Sequence, residues 1–94
     1  MTGLKEFSIV EKFGVMVSAQ GRITDVLNGV DSETAIRTME NLVRLFFSRM
    51  EFFNPAQRPD LVAVFAESTG EVVANYKQEN GVFWFKQLSC MALN

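Results

Sequence analysis

The sequence contains no histidine, which removes the commonest general base and the commonest metal ligand together. Cys90 is its only cysteine, so an internal disulfide and a thiolate metal cluster are both excluded. Gly-rich phosphate-binding motifs are also missing. The carboxylates are scattered along the chain. Glu67 and Glu71 flank a Ser-Thr-Gly turn, and we interpret them as solvated charges of that turn rather than as a catalytic pair. We therefore expect no catalytic, cofactor-binding or metal-binding residues, and a chain that is not an enzyme.

Basic charge and long apolar runs are scarce as well. A net charge of −2 gives no basic footprint, which argues against nucleic acid and anionic membranes as direct partners. The chain lacks an apolar run of the roughly 18 residues that a membrane span needs, and its first residues lack the pattern of a signal peptide. We expect a cytoplasmic protein with no direct membrane insertion, attached to a membrane only where a partner provides the attachment.

Proline occurs only twice, at Pro55 and Pro59, and this pair marks one irregular loop over residues 54–60. The remaining sequence is 48% apolar and holds nine Phe among 94 residues, as expected of one globular domain. We therefore predict a single domain over residues 1–94 with its core in residues 13–88.

Residues 31–53 have the clearest helical periodicity of the chain. Asp31 is a good N-cap residue, because its short side chain can accept hydrogen bonds from free amides of the first turn. Leu45 and Phe52 fall outside the main apolar stripe, so the helix carries more apolar surface than one sheet can cover. The stripe, spaced alternately by three and four residues, comprises Ile36, Met39, Val43, Phe46, Met50 and Phe53.

Short apolar and β-branched runs surround this helix. Two of them, residues 13–19 and 22–27, flank Gln20 and Gly21 and predict a β-hairpin whose second strand ends at Asn28 and Gly29. Residues 3–12 could form about two helical turns, or a strand from Phe7 onward. After the helix, a three-stranded meander is predicted over residues 61–66, 71–76 and 82–88. The fold class is thus α+β: a five-stranded antiparallel sheet with one main helix packed on a face.

The aromatic run at Phe83, Trp84 and Phe85 admits two interpretations. These side chains could line a ligand pocket or stack nucleic-acid bases. Consecutive strand residues point to opposite faces, however, and the acidic balance provides no cationic groove. We therefore interpret the run as core packing.

The order of elements resembles a Roadblock/LC7 domain. The resemblance covers the hairpin with its turn at Gln20 and Gly21, the central helix, the Pro-containing loop and the meander to Leu88. Within that family the chain is most similar to the compact type seen in Ragulator subunits and dynein light chain roadblock. The segment before residue 13 is shorter than the first helix usual in the family.

The resemblance implies a dimer, formed through the central helix and the strand that follows it, with one extended sheet. The partner would be a second copy or another Roadblock-type chain, and the dimer would present a composite surface to a small Ras-like GTPase or a larger complex. The residues expected at this dimer interface are Leu42, Leu45, Phe46, Arg49, Leu61, Ala63 and Phe65.

Two other functions remain open at this stage. One is a monomeric small-molecule-binding or inhibitory α+β domain whose aromatic residues fill its own core. The other is an enzyme regulated through Cys90, although no histidine is present to activate that thiol.

Overall fold

The computed structural model describes residues 11–88. The expectations for residues 3–10 and for Cys90 lie outside this range. Within it, the chain forms a hairpin, one long helix and a meander, as the sequence predicts. The strands are β1 (Phe13–Ala19), β2 (Arg22–Val30), β3 (Leu61–Ala66), β4 (Val72–Glu79) and β5 (Val82–Gln87), and the helix is α1 (Ser32–Arg49).

All five strands belong to one antiparallel sheet in the order β2-β1-β3-β4-β5. The first hairpin packs its β1 against β3, which places the strand that follows the helix in the middle of the sheet. β2 and β5 are the two edge strands. The prediction of an α+β fold with a five-stranded antiparallel sheet and one main helix is confirmed.

Both tight hairpins have the backbone that their sequences predict. Gln20 and Gly21 at the first turn have φ values of 53° and 80°, and Asn80 and Gly81 at the last turn have 55° and 83°. Positive φ at both central residues is the hairpin turn whose twist matches that of the flanking strands. These two turns fix the pairing of β1 with β2 and of β4 with β5.

α1 covers one face of the sheet. Its cap is formed by Asp31, whose Oδ1 accepts a hydrogen bond of 2.7 Å from the amide of Thr34. Ala35 and Met39 are fully buried, and the other residues of the apolar stripe are partly buried. The α-helix ends at Arg49 rather than at Phe53, because the chain tightens into a 3-10 turn over Met50–Phe52.

The core lies between α1 and the three central strands. Alternate residues of β1 and β3 face the helix, so the remaining residues of those strands face away from it. Val62, Ala63 and Val64 have no exposed surface, so the middle of β3 is buried on both faces. The core residues comprise Phe13, Val15, Val17, Ala35, Met39, Val62, Val64, Ala66, Val73 and Ala74.

β2 is longer than predicted. The pair Asn28 and Gly29 was expected to end the strand, but pairing with β1 continues to Val30. Gly29 adopts a φ of 78°, and its amide donates a hydrogen bond to the carboxylate of Glu67 at the β3–β4 turn. Because glycine tolerates this conformation, the strand can bend there and still continue.

Candidate functional site

Large apolar side chains are exposed on both edges of the sheet and on both sides of α1. Such residues are ordinary when scattered, but contiguous groups mark interaction surfaces. The exposed set comprises Ile23, Val26, Leu27, Leu45, Phe47, Phe52, Val82, Trp84, Phe85 and Leu88. Two groups within it, one at β5 and one near the end of α1, are the candidate sites.

The larger group surrounds the outer edge of β5. We call Phe47, Val82, Trp84 and Phe85 the β5 surface. Trp84 is 61% exposed and Phe47 is 60% exposed. The prediction that Trp84 packs in the core is therefore wrong, because β5 is an edge strand and the described residues include no element that covers Trp84. The sequence pattern gave the strand but not its place in the sheet.

On the helix side, the β5 surface borders an open groove of about 450 Å³ between α1 and the β4–β5 hairpin. The rings of Tyr76 and Phe85 are in contact beside it, with centroids 5.1 Å apart. Glu40 and Arg44 form a charged rim on the helix. The groove is lined by Glu40, Val43, Arg44, Phe47, Tyr76, Val82 and Phe83.

The backbone of β5 has its own open side. The amide of Leu88 donates a hydrogen bond to the carbonyl of Val73 at 2.8 Å. From that pair, hydrogen-bonded pairs between β4 and β5 recur at every second residue of the register. Hydrogen-bonded pairs alternate with non-bonded pairs in an antiparallel ladder, so Lys86, Trp84 and Val82 direct their backbone groups toward β4. The N–H and C=O of Phe83 and Phe85 consequently point away from β4, toward the edge.

The opposite edge strand is built differently. Pairing between β1 and β2 is irregular at two places, between Phe13 and Val15 and between Val17 and Ser18. β2 also carries charges at Arg22 and Asp25 and the bend at Gly29. Bulges and charges of this kind prevent a strand edge from pairing with another chain. β5 pairs with β4 through six successive residues without such an irregularity.

The smaller group lies on the other side of α1. Leu45, Arg49, Phe52 and Phe53 line a shallow depression of about 230 Å³, which we call the α1 flank. Leu45 and Phe47 are two residues apart on the helix, so they face in different directions and cannot belong to one flat surface. The ring of Phe53 packs edge-on against Phe46, with centroids 5.9 Å apart.

The four expected interface residues on α1 fall into an exposed pair and a partly buried pair. Leu45 and Arg49 are exposed on the α1 flank, as an interface requires. Leu42 and Phe46 are partly buried and pack against the domain's own core. Of these four residues, only Leu45 and Arg49 are exposed to a partner.

The expected interface residues on β3 are not at an edge. β3 is hydrogen-bonded to β1 on one side and to β4 on the other, so it cannot be the seam of an extended sheet. Ala63 is completely buried, and Leu61 and Phe65 are partly buried. Their side chains alternate with the core residues Val62 and Val64 and thus lie on the face away from α1. The predicted seam through Leu61, Ala63 and Phe65 is therefore wrong.

The described residues contain few groups suited to catalysis or metal binding. Within residues 11–88, His, Cys, Asp and Glu form no group of three that could hold a metal ion. Hydrogen bonding from Thr34 lowers the pKa of Asp31 below its ordinary value, and this group caps α1. No helix in the described part of the chain is long and apolar enough to cross a membrane.

Comparisons with models of known protein families, with curated proteins and with solved structures found no match to this chain.

The β5 surface is the feature that sequence reasoning missed. A signal for it was present: the chain's final predicted strand follows an Asn-Gly turn and holds four apolar residues before its first charge, Lys86. Consecutive strand residues point to opposite faces, so a run of four apolar residues leaves apolar side chains exposed on any face that no other layer covers.

Proposed function

We propose that this protein is a non-enzymatic dimerising scaffold or regulatory subunit that presents a composite surface to a small Ras-like GTPase or a larger complex. The resemblance to Roadblock/LC7 domains supports this proposal through the shared order of hairpin, helix and meander. The proposal places the chain in the cytoplasm, with any membrane attachment made through a partner. Another Roadblock-type chain could take the place of the second copy.

The observation that carries the proposal is the exposed apolar area at the margins of an otherwise well-packed domain. Phe47, Trp84 and Phe85 on one side and Leu45 and Phe52 on the other are each at least 47% exposed. Burying the exposed part of these side chains against a partner would stabilise a complex by roughly 25 cal/mol per Å² of apolar surface removed from water. Within the described residues no further element covers these side chains, so association with a partner is the way to bury them.

The alternative of a small-molecule-binding domain has one observation in its favour, the groove beside Phe47. Its volume of about 450 Å³ is large enough for a ligand. Ligand pockets, however, usually enclose most of the bound molecule, whereas this groove is open along the edge of β5. An open groove beside an unpaired strand edge fits a protein partner better.

The experiment is the solution mass of the purified chain, measured by size-exclusion chromatography with light scattering over about a hundredfold dilution. The expected result is the mass of two chains at the upper concentrations, with dissociation on dilution. A single-chain mass at every concentration would contradict self-association.

A further inference from the structure

We propose that two copies of this chain associate by antiparallel pairing of their β5 strands about a twofold axis at Trp84, which joins the two five-stranded sheets into one. This inference rests on the proposed function, because it specifies how the dimer forms. It also replaces β3 as the seam with a strand that is at the edge of the sheet.

The open side of β5 identifies the kind of partner. Phe83 and Phe85 direct their N–H and C=O groups away from β4, as the Leu88–Val73 hydrogen bond and the register require. An extended strand satisfies such groups most completely, since it supplies donors and acceptors at the same spacing. β2 offers no equivalent site because its ladder is interrupted twice.

The backbone also limits the register. A strand paired with its own copy must place outward-pointing residues opposite outward-pointing residues, so Phe83 can face Phe85 or each can face itself. Pairing Phe83 with Phe85 of the second copy puts Trp84 opposite Trp84 on the axis, at a non-hydrogen-bonded position. Side chains approach most closely at such positions, and aromatic pairs there stabilise a sheet.

Charge separates this register from its neighbour. With Trp84 on the axis, Lys86 stands opposite Val82 of the second copy, and the residue beside that Val82 is Glu79. Lys86 of one copy and Glu79 of the other thus lie in the same cross-strand row, separated by Val82, and this arrangement occurs twice per dimer. With Phe85 on the axis, Lys86 would instead share a row with Trp84 and Lys77 of the second copy, which brings two lysines together. The Trp84-centred register is therefore favoured over the Phe85-centred one.

Apolar side chains then meet on both faces of the joint. Trp84 lies on the face away from α1, because it alternates with Phe83 and Phe85 along the strand. On the helix face, Phe83 and Phe85 of both copies adjoin the groove that holds Phe47. The exposed residues of the β5 surface therefore acquire a single explanation. The α1 flank with Leu45 lies on the other side of the helix and stays free for a different partner.

The first test compares two lysine substitutions at matched exposure on opposite edges of the sheet. Trp84 is 61% exposed on β5 and Ile23 is 60% exposed on β2. Trp84→Lys places four lysines in one row across the axis, so we expect the dimer Kd to rise roughly 30-fold or more. Ile23→Lys should leave the Kd unchanged, and circular dichroism should show both variants folded.

The outcomes separate this inference from the proposed function. A dimer that resists Trp84→Lys but is split by Leu45→Asp would overturn pairing through β5 and would retain the dimeric scaffold with its interface on the α1 flank. A wild-type chain that is a monomer at every concentration would overturn pairing between two copies through β5, and the proposed scaffold would then require a different chain as its partner. Dissociation by Trp84→Lys alone supports β5.

The second test exchanges the charges that share a row only in the dimer. Within one copy Glu79 is paired with Val82 and Lys86 with Asn75, so the two charged residues are not neighbours. Glu79→Lys and Lys86→Glu should each raise the Kd by about tenfold at low salt. The double exchange should restore the wild-type Kd, and a double variant that is weaker than either single variant would overturn the register.

Amide hydrogen exchange provides an independent readout of the same ladder. In the dimer, the amides of Phe83 and Phe85 should exchange slowly, and in Trp84→Lys they should exchange rapidly. The amides of Trp84 and Lys86 bond to β4 and should stay protected in both. Rapid exchange at Phe83 and Phe85 in the wild-type dimer would contradict strand pairing.

Discussion

The ring of Phe65 on β3 lies against Gly14 on β1, in the space where any other residue would carry its Cβ. The two residues are directly paired in the sheet. An ideal Cβ on Gly14 would lie 2.3 Å from Cζ of Phe65 and 2.8 Å from the carbonyl oxygen of Leu27. Glycine normally weakens a strand interior, and an aromatic ring that covers it compensates for the missing side chain. This contact explains a glycine in a buried central strand.

Gly14→Ala should therefore destabilise the fold. The added methyl group meets both a ring and a backbone atom, so the strands must shift, at a cost of about 1–3 kcal/mol in the free energy of unfolding. Urea denaturation monitored by circular dichroism measures this cost. Adding Phe65→Leu should recover only part of the loss, because the Leu27 carbonyl remains in place. Full stability in Gly14→Ala would mean that Phe65 packs elsewhere.

The cap of α1 should make stability depend on acid. Hydrogen bonding from Thr34 lowers the pKa of Asp31 below its ordinary value, so the native state favours the carboxylate more than the unfolded chain does. That contribution is complete above the unfolded pKa and is lost as the pH falls through the lower, folded value. Thermal unfolding from pH 6 to pH 2 should show the loss in the wild type. Asp31→Asn keeps a capping oxygen and should reduce this dependence, whereas Asp31→Ala should lower the midpoint at every pH.

Glu67 should hold the end of β2. Its carboxylate accepts a hydrogen bond from the amide of Gly29, and its own amide donates to the carbonyl of Lys12 at 3.0 Å. Glu67→Ala removes only the first of these bonds, so exchange of the Gly29 amide should accelerate roughly 5- to 10-fold. Glu71→Ala at the other end of the turn is the matched control. Equal acceleration in both variants would indicate a general effect of charge on the turn.

Local patterns predicted the elements of this fold well because their causes are local. The Gln20-Gly21 and Asn80-Gly81 turns, the Asp31 cap and the stripe around Met39 each depend on residues within one turn or one helical face. Gly29 shows the limit of such reasoning. The Asn28-Gly29 pair predicted the end of β2. The strand nevertheless continues to Val30, and the carboxylate of Glu67, distant in sequence, accepts a hydrogen bond from the amide of Gly29.

The order of strands was not accessible from local patterns. The continuous apolar run of β3 fits both a strand covered on both faces and a dimer seam, and only pairing with β1 decides between them. The same uncertainty misplaced Trp84 in the core. Three of the seven expected interface residues were therefore assigned to a central strand, while the exposed edge at β5 was interpreted as core packing.

Two substitutions on α1 separate folding from association. Met39 is fully buried in the core and Phe47 is 60% exposed beside β5. Met39→Ala leaves a cavity and should lower the free energy of unfolding by about 2–5 kcal/mol. Phe47→Ala removes a side chain that is mostly exposed in the monomer, so the free energy of unfolding measured at concentrations below the dimer Kd should fall by only about 1 kcal/mol. Light scattering should show the reverse order, with Phe47→Ala weakening the dimer at concentrations where folded Met39→Ala still pairs. If Phe47→Ala instead unfolds the monomer, Phe47 is part of the core. The aromatic residues of the β5 surface would then be no evidence for a binding partner.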